Sequence, residues 1–409
     1  MPNPFENKRI VLGVTGSIAA YKAIDLASKL KQANTKVDVI LTENALKFVS
    51  ALSFQSVTGS KAFTNTDLWG GEGHVVHVSL GHAAELMVIA PASADVIAKL
   101  ANGIADDLLT TTALVADCPL VIAPAMESHM YTNLAVQHNI QTLQERGAIF
   151  IGPAEGHLAS GAIGKGRFVE PPEILSQLRW LLSKDGPLKG CKVVVTAGGT
   201  QEPIDPVRMI TNRSSGKQGF AIAQAALDAG ADVFLIAAPS ALPTPTGCKR
   251  IEVHTAAEMQ IAVLDAVKNA DALVMAAAVA DFRPVKPANQ KIKKDKGLPN
   301  IELEPTSDIL AAVAEQKAAS GFPRCSIGFA AESQNLTENA RTKLQAKKLD
   351  LIAANDVTAK DAGFEVDTNR ITLFYASGET EPLPLMSKAE VAEKLVEVIT
   401  QWVPATDER

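Results

Sequence analysis

Short apolar runs of strand type alternate with helix-like stretches along this chain, and the alternation stops and restarts once. Successive parallel strands need a crossover between them, usually a helix, so this pattern specifies parallel sheets covered by helices. In the first series Ile10–Val14, Val37–Leu41, Leu86–Ala90 and Leu120–Ala123 read as strands, with a helix from Ile18 to Ala33. The break falls at Leu182–Lys189, where SKDGPLKG sets glycines, a proline and charges between apolar runs, as linkers do. The second series has strands at Lys192–Thr196, Val233–Ala237, Ala272–Ala278, Ser326–Phe329 and Leu351–Ala354, and a helix over Gly219–Ala229. At 409 residues the chain is too long for one ordinary core. The expectation is an α/β chain with two Rossmann-like parallel-sheet domains in tandem, residues 1–188 and 189–409. Thr255-Ala256-Ala257-Glu258 and Ser387-Lys388-Ala389-Glu390 read as capping boxes. The second opens a closing helix with Val391, Leu395, Val398 and Trp402 on one face.

Ligands of open parallel sheets sit beyond the carboxyl ends of the strands, so the residues just after each strand carry the chemistry. The first such segment is GVTGSIAAYK, Gly13–Lys22. Its glycines let backbone N–H groups approach a phosphate, Ser17 adds a hydroxyl, and the following helix contributes its positive end. The same residues also serve as plain turn and cap. The GxGxxG spacing is missing, which argues against an ordinary dinucleotide fold and so against a dehydrogenase. Further on, one strand ends at Pro91-Ala92-Ser93-Ala94-Asp95 and another at Pro124-Ala125-Met126. Small residues there leave room for a flat ring, and Ser93 and Asp107 can meet its polar edge.

Residues 8–180 resemble the flavoproteins that decarboxylate cysteine-containing substrates. More narrowly, they are similar to the phosphopantothenoylcysteine decarboxylase half of the bifunctional coenzyme A enzymes. The resemblance implies a homo-oligomeric, flavin-containing Cys decarboxylase fold that uses FMN for substrate oxidation. It places FMN contacts at Gly16, Ser17, Thr42, Ser93 and Asp107, and the catalytic histidine at His77 in VVHVSLGHAAEL, with His74 and His82 nearby. Two positions depart from the family pattern. Pro-Ala-Met-Asn is here Pro124-Ala125-Met126-Glu127, and the flap's Ala-Cys-Gly is Ala159-Ser160-Gly161. In the family the asparagine holds the substrate carboxylate and the cysteine donates a proton. Serine is a far weaker acid than a thiol of pKa ~8.5. The preferred expectation is that burial keeps Glu127 partly protonated as the proton donor, with Ser160 hydrogen bonding beside it. The alternatives are a reaction stalled at the enethiol, or a flavin-binding scaffold without turnover fused to a ligase.

After strand Lys192–Thr196 comes AGGTQEPIDPVRMITNRSSGKQG. Gly198 and Gly199 free backbone N–H groups, and Ser214-Ser215-Gly216 before a helix completes a phosphate-cradling design. Arg208 and Asn212 add groups able to grip an acyl or phosphate oxygen. This stretch resembles the phosphopantothenate–cysteine ligase domain, and AAAVADFRP, KIKK and GFAAE agree from about residue 190 onward. The resemblance implies that 4'-phosphopantothenate attacks CTP in the presence of Mg2+, and that L-cysteine displaces CMP from the acyl-cytidylate. It puts Lys291 at the acyl phosphate and Asn212 at the acyl intermediate. Ala278, Asp281, Thr306, Ser307, Asp308, Ile309, Phe329, Lys343 and Lys347 fall at substrate and nucleotide positions. Lys293 and Lys294 share the KIKK loop, and Lys343 and Lys347 share one face of a helix over Asn335–Lys348.

A net charge of −6 gives no reason to expect nucleic acid or an anionic membrane as partner. The longest apolar run, Ala272–Ala280, is far short of the ~20 residues a membrane span needs. The N-terminus carries no signal-peptide core, and four scattered cysteines suggest neither disulfides nor zinc, so a cytoplasmic enzyme is expected. The family resemblance further implies trimers of the first half, with His77 reaching a neighbour's flavin, and dimers of the second, together a dodecamer.

Overall fold

The computed structural model describes residues 3–69, 75–293, 300–332, 334–356 and 367–403. The chain divides into two units, Pro2–Leu182 and, beyond it, Ser183–Arg409.

In the first unit the sheet is built from β1 (Arg9–Val14), β2 (Lys36–Leu41), β3 (Ala62–Phe63), β4 (Leu86–Ala92), β5 (Leu120–Pro124) and β6 (Ile149–Phe150). They pair in parallel in the order β3-β2-β1-β4-β5-β6. Side chains of a strand alternate between faces, and here both faces are covered. Ile10, Leu12, Val14, Val88 and Val121 join one core, with residues of α1 (Ala20–Gln32) and α2 (Ala51–Thr58). Val11, Met87, Ile89 and Ile122 join the other. That second core is closed by α3 (Val76–Ala83), α4 (Ala94–Asn102), α5 (Leu108–Val115) and α7 (Leu134–Glu145). Burial on both faces explains why the strands read as unbroken apolar runs. Between β5 and α7 lies the short α6 (Ser128–Thr132), and beyond β6 a hairpin, β7 (Ala154–His157) and β8 (Ile163–Arg167). Helix α8 (Pro171–Ser183) follows, and its Ile174 and Leu178 close the first core.

The second unit opens with β9 (Lys192–Ala197), a small pair β10 (Gln201–Pro203) and β11 (Met209–Thr211), and α9 (Lys217–Asp228). Next come β12 (Asp232–Ala237), β13 (Lys249–Glu252), α10 (Ala256–Ala266), β14 (Ala272–Met275), and a second small pair, β15 (Phe282–Pro284) and β16 (Leu303–Pro305). The chain continues through α11 (Ile309–Ser320), β17 (Cys325–Glu332), α12 (Leu336–Ala346), β18 (Leu351–Asp356), β19 (Thr368–Asn369), β20 (Ile371–Tyr375), β21 (Thr380–Pro382), β22 (Met386–Ser387) and α13 (Lys388–Trp402). The main sheet has the order β13-β12-β9-β14-β17-β18-β20-β21, parallel as far as β18 and antiparallel at its last two strands. Helices α9 and α13 pack on each other, and Gln218 Nε2 donates to the Lys388 carbonyl at 3.0 Å.

Three local readings are corrected. The strand expected over Ala272–Ala278 ends at Met275, because Ala278 turns aside and its amide donates to Gly198 O at 2.8 Å. At Thr255 only half a capping box forms: Glu258 N donates to the threonine hydroxyl, but the Glu258 carboxylate accepts from His254 N instead. The box at Ser387 and Glu390 is complete. The linker-like segment is packed, with Leu188 fully buried and its amide on Ala229 O at 2.7 Å. On the closing helix Val391, Leu395 and Val398 are buried, while Trp402 lies half-exposed, edge-on to Tyr375. Among the described residues no helix is long and apolar enough to cross a membrane, and no cysteine is in a disulfide.

Candidate functional site

In the first unit, β1 and β4 are neighbours whose chains leave toward opposite edges of the sheet, which opens a crevice at their carboxyl ends. Gly16 and Ser17 follow β1, Thr42 follows β2 and Ser93 follows β4, so four predicted contacts gather at this edge. Thr15, fully buried, ties two of the loops together. Its hydroxyl donates to Pro91 O at 2.8 Å and accepts from Ser93 N at 2.9 Å. Thr42 N donates to Val14 O at 3.1 Å, and Gly16 lies so close to Asn44 that a Cβ there would come within 2.5 Å of the Asn44 Cβ. Ser17 Oγ accepts from Ala19 N at 3.3 Å, which leaves its proton to donate outward. Asp107 caps α5, its Oδ1 accepting from Thr110 N and Thr110 Oγ1, both at 2.8 Å. Leu109, two residues on, fills the space beside Gly13. His77 sits in the first turn of α3, which packs on α5, and its Nδ1 is buried with no hydrogen-bond partner among the described residues. His74 lies outside the described residues.

In the second unit the corresponding crevice lies between β9 and β14. Ala277 N donates to Thr196 Oγ1 at 3.1 Å and Ala280 N to Thr200 Oγ1 at 2.9 Å, while Gly199 and Ala278 form an isolated parallel bridge. Gly198 and Gly216 adopt φ of +85° and +76°, conformations that favour glycine. Gly216 starts α9, and Ser214 and Ser215 precede it. Asn212 Nδ2 donates to Val279 O at 3.0 Å. Thr306 closes the next side: its amide donates to Asp281 O at 2.9 Å and its hydroxyl to Ala280 O at 2.6 Å. Asp308 caps α11 and pairs with Lys347 at the end of α12. Ser307 is exposed beside it, Phe329 is half-buried on β17, and Lys343 lies on α12. Ile309 is buried in the core, so only its backbone is left to meet a ligand. Arg208 does not point freely into the crevice: its Nη2 donates to Ile292 O at 3.3 Å, beside Lys291. The loop from Arg208 to Asn212 thereby touches both the Lys291 loop and the Val279 loop. Lys294 lies outside the described residues.

Residues 2–183 match the family model described as Flavoprotein, and residues 188–403 match that of the DNA/pantothenate metabolism flavoprotein C-terminal domain. The coenzyme A biosynthesis bifunctional protein CoaBC of Bacillus subtilis (strain 168) is 46% identical over 406 residues, covering 98% of this chain and 99% of that protein. The chain belongs to the bifunctional coenzyme A biosynthesis family. The protein of the same description from Mycobacterium tuberculosis (strain ATCC 25618 / H37Rv) is 44% identical over 408 residues, 97% of each chain. The solved C-terminal domain of a coenzyme A biosynthesis bifunctional protein CoaBC matches with a TM-score of 0.44 at 39% identity, covering 52% of this chain and 96% of that one. The first half of this family member is a flavoprotein domain.

Within that family the two departures take on definite geometry. Glu127 is the N-cap of α6: its Oε2 accepts from His129 N at 2.7 Å and Met130 N at 3.3 Å, and its Oε1 lies 3.0 Å from His129 Nδ1. Burial pushes its carboxyl up, but the His129 imidazole and the two amides outweigh this and hold it below the usual carboxylate value. The burial expected to keep Glu127 partly protonated is not what surrounds it: the carboxyl is only half-buried, and its donors favour the carboxylate form. Ser160 is exposed at the tip of the β7–β8 hairpin, in a turn where Gly161 N donates to Leu158 O. The root of that hairpin grips α6, since Met126 N donates to Gly166 O at 3.0 Å and a Cβ on Gly164 would lie 2.6 Å from Ser128 Oγ. Glu127 and the flap thus belong to one local assembly.

The sequence reading passed over Thr15, Thr196 and Thr200, whose hydroxyls hold the loops, and Asp205, whose buried carboxylate organises the turn before Arg208. The available signal was a hydroxyl residue at or just after each strand end, and an Asp-Pro pair in a turn.

Proposed function

We propose that this chain joins L-cysteine to 4'-phosphopantothenate with CTP in its second half and decarboxylates the product to 4'-phosphopantetheine in its first. The observation that carries the ligase reading is the meeting of the Asn212, Val279 and Lys291 segments around the β9–β14 crevice. A carboxylate is a poor acyl donor until its oxygen is esterified. Attack of phosphopantothenate on CTP forms an acyl-cytidylate and releases pyrophosphate, and the cysteine amine then displaces CMP. Backbone N–H groups at Gly198, Gly199 and the start of α9 stabilise phosphate charge, Lys291 stabilises charge on the acyl phosphate, and Asn212 orients the acyl group. Asp281, Asp308, Phe329, Lys343 and Lys347 line the nucleotide. Among the described residues no cluster of three His, Cys, Asp or Glu side chains can hold a metal. Mg2+ would arrive with the triphosphate and be held mainly by its oxygens.

The first-half crevice fits FMN: hydroxyls at Ser17 and Ser93, glycine at the tightest approach, and small residues after β4 and β5 match a phosphate and a flat ring. When bound, FMN supplies a two-electron acceptor for the substrate thiol, which makes loss of carbon dioxide easy. His77, with Nδ1 buried and unpartnered, is the group to move a proton at the substrate. Glu127 caps α6 beside the flap root, its carboxylate oxygens engaged by the His129 and Met130 amides, so we assign it the cap and not proton donation. Saturating the enethiol to phosphopantetheine takes a hydride, which the reduced flavin would return, and a proton; with Ser160 where the family has a thiol that proton is slow to arrive, and the enethiol accumulates relative to phosphopantetheine. Exposed Ile18, Tyr21, Phe48 and Leu52, at or next to α1 and α2, leave apolar surface that a second copy would cover, which supports self-association of the first half; the dodecamer of trimers and dimers rests on the family resemblance. Incubating the chain with phosphopantothenate, cysteine, Mg2+ and either CTP or ATP, then identifying products by mass, tests the whole reading. CMP, pyrophosphate and phosphopantetheine are expected with CTP. Absence of nucleotide-dependent product refutes the ligase, and unchanged phosphopantothenoylcysteine with flavin bound refutes the decarboxylase.

A further inference from the structure

We propose that Asp205 is the positioning residue for Lys291, acting through the backbone of Ile292. The assignment rests on the ligase reading, in which Lys291 stabilises the acyl phosphate. The Asp205 side chain has no solvent exposure, and its two oxygens face different partners. Oδ1 accepts from Val207 N at 2.8 Å and Arg208 N at 2.9 Å, fixing the turn on its own loop. Oδ2 accepts from Ile292 N at 3.2 Å, 87 residues away in sequence. Arg208, whose Nη1 lies 3.7 Å from Asp205 Oδ2, donates through Nη2 to Ile292 O at 3.3 Å. An acid and a base from one turn therefore hold the N–H and C=O of a single residue, next to Lys291.

This arrangement does more than attach a loop. The segment before it is already tied by Ala288 N to Ile204 O at 2.9 Å, so the Asp205 clamp is not needed to keep the loop near the turn. What it adds is register at Ile292, and with it the direction in which Lys291 leaves the backbone. Burial pushes the Asp205 carboxyl up, yet the amides of Val207, Ile292 and Arg208 and the Arg208 charge hold it below its ordinary value, so the clamp is anionic at neutral pH. A lysine acting on charge that develops in the transition state must be placed to within about an ångström, and misplacement on that scale costs about 100-fold in rate.

The two oxygens can be separated by substitution. In Asp205→Asn the amide oxygen keeps the turn bonds, while the NH2 group faces the Ile292 N–H donor to donor. In the full chain, CTP-dependent pyrophosphate release by Asp205→Asn is expected to fall about 100-fold. Trypsin cleavage after Lys291 is expected to accelerate, and the melting temperature to fall by no more than the few degrees that one stranded donor costs. Ile292→Pro deletes the same N–H from the other side and is expected to lower pyrophosphate release alike; its Lys–Pro bond resists trypsin, so proteolysis is read on Asp205→Asn alone. The decisive measurement is the double variant with Lys291→Gln. If Asp205 acts through Lys291, adding Asp205→Asn to Lys291→Gln costs nothing further, whereas a general structural defect adds its full loss. Additive losses, or an Asp205→Asn chain as active as wild type, overturn this assignment alone. A wild-type chain that releases no pyrophosphate overturns the ligase reading and this assignment with it.

Discussion

Replacing Thr15 by Val removes one oxygen from the centre of the first crevice and leaves the volume unchanged. Two bonds go: the hydroxyl's donation to Pro91 O at 2.8 Å and its acceptance from Ser93 N at 2.9 Å. Pro91 O retains a partner, since Thr15 N also donates to it at 3.3 Å. The Ser93 amide loses the acceptor it had. Leaving one partly buried N–H unsatisfied costs about 1–2 kcal/mol, whereas losing a bond with both sides resatisfied costs little. For a unit of this size each kcal/mol moves the melting point by about 2–4 °C, so Thr15→Val is expected to lower it by roughly 3–6 °C. Thr15→Ser is the control. It keeps the hydroxyl and loses one buried methyl, worth about 0.8 kcal/mol, and so a smaller shift. The assay is thermal release of flavin fluorescence from the full chain, with FMN titration into flavin-depleted protein alongside. The Kd for FMN is expected to rise roughly tenfold in Thr15→Val, equivalent to about 1.4 kcal/mol. A Thr15→Val chain as stable as wild type, or a Thr15→Ser chain less stable than Thr15→Val, would show that packing and not the hydroxyl joins these loops.

Glu127→Asn should lower the KM for phosphopantothenoylcysteine, because it removes a negative charge from the position at which the family resemblance puts the substrate carboxylate, and the drop should shrink at high salt; an unchanged KM would place the substrate carboxylate elsewhere. Ser160→Cys restores an acid of pKa ~8.5 to the flap, and the ratio of phosphopantetheine to enethiol, read by mass spectrometry, should rise. Gly219→Ala would set a Cβ 2.6 Å from the Ala197 Cβ and 2.7 Å from Thr196 O. Overpacking of that kind costs about 1–3 kcal/mol, and the shift of α9 should depress pyrophosphate release far more than decarboxylation, assayed on one preparation. The α6 cap is acid-sensitive: a carboxyl held below its ordinary 4.5 stabilises the fold above that pH and loses the contribution as pH falls through the lowered value. NMR shifts of the His129 and Met130 amides should therefore move together only below pH 4.5.

The sheets were legible because burial on both faces leaves an unbroken apolar run at each strand, a signal carried by neighbours in sequence. Gly16, Ser17, Ser93, Gly198 and Gly216 were legible for a related reason: a turn into a helix demands small or capping residues whatever the surroundings. What holds the loops in place left no such trace. The Thr15–Ser93 bond spans 78 residues and the Asp205–Ile292 bond spans 87, and neither imposes a period or a composition. Glu127 is a different case. Its chemistry was judged from an assumed buried setting, but the sign of a carboxyl shift depends on the donors around it, and α6 aims two amides and an imidazole at this one. The strand overrun at Ala276–Ala278 was unavoidable from composition, since alanines fit a strand and a close loop crossing equally well.

Both crevices solve one mechanical problem in the same way. At a switch point two adjacent parallel strands send their chains to opposite edges, so no helix or turn connects the loops that must hold the ligand. Each unit supplies that connection with a threonine at or just after the end of its first strand. Thr15 takes the amide of Ser93 across the β1–β4 boundary, and Thr196 and Thr200 take those of Ala277 and Ala280 across β9–β14. Serine would reach as far, but the threonine methyl also restricts χ1 and fills the space beneath the loop. The acceptors are buried, so each bond is formed where water does not compete and where its loss leaves a donor stranded. The glycines and serines that meet a ligand can then stay small and conformationally permissive, because rigidity is supplied from beneath them. Substitution of these threonines should for that reason weaken ligand binding in each half without touching any residue that contacts the ligand.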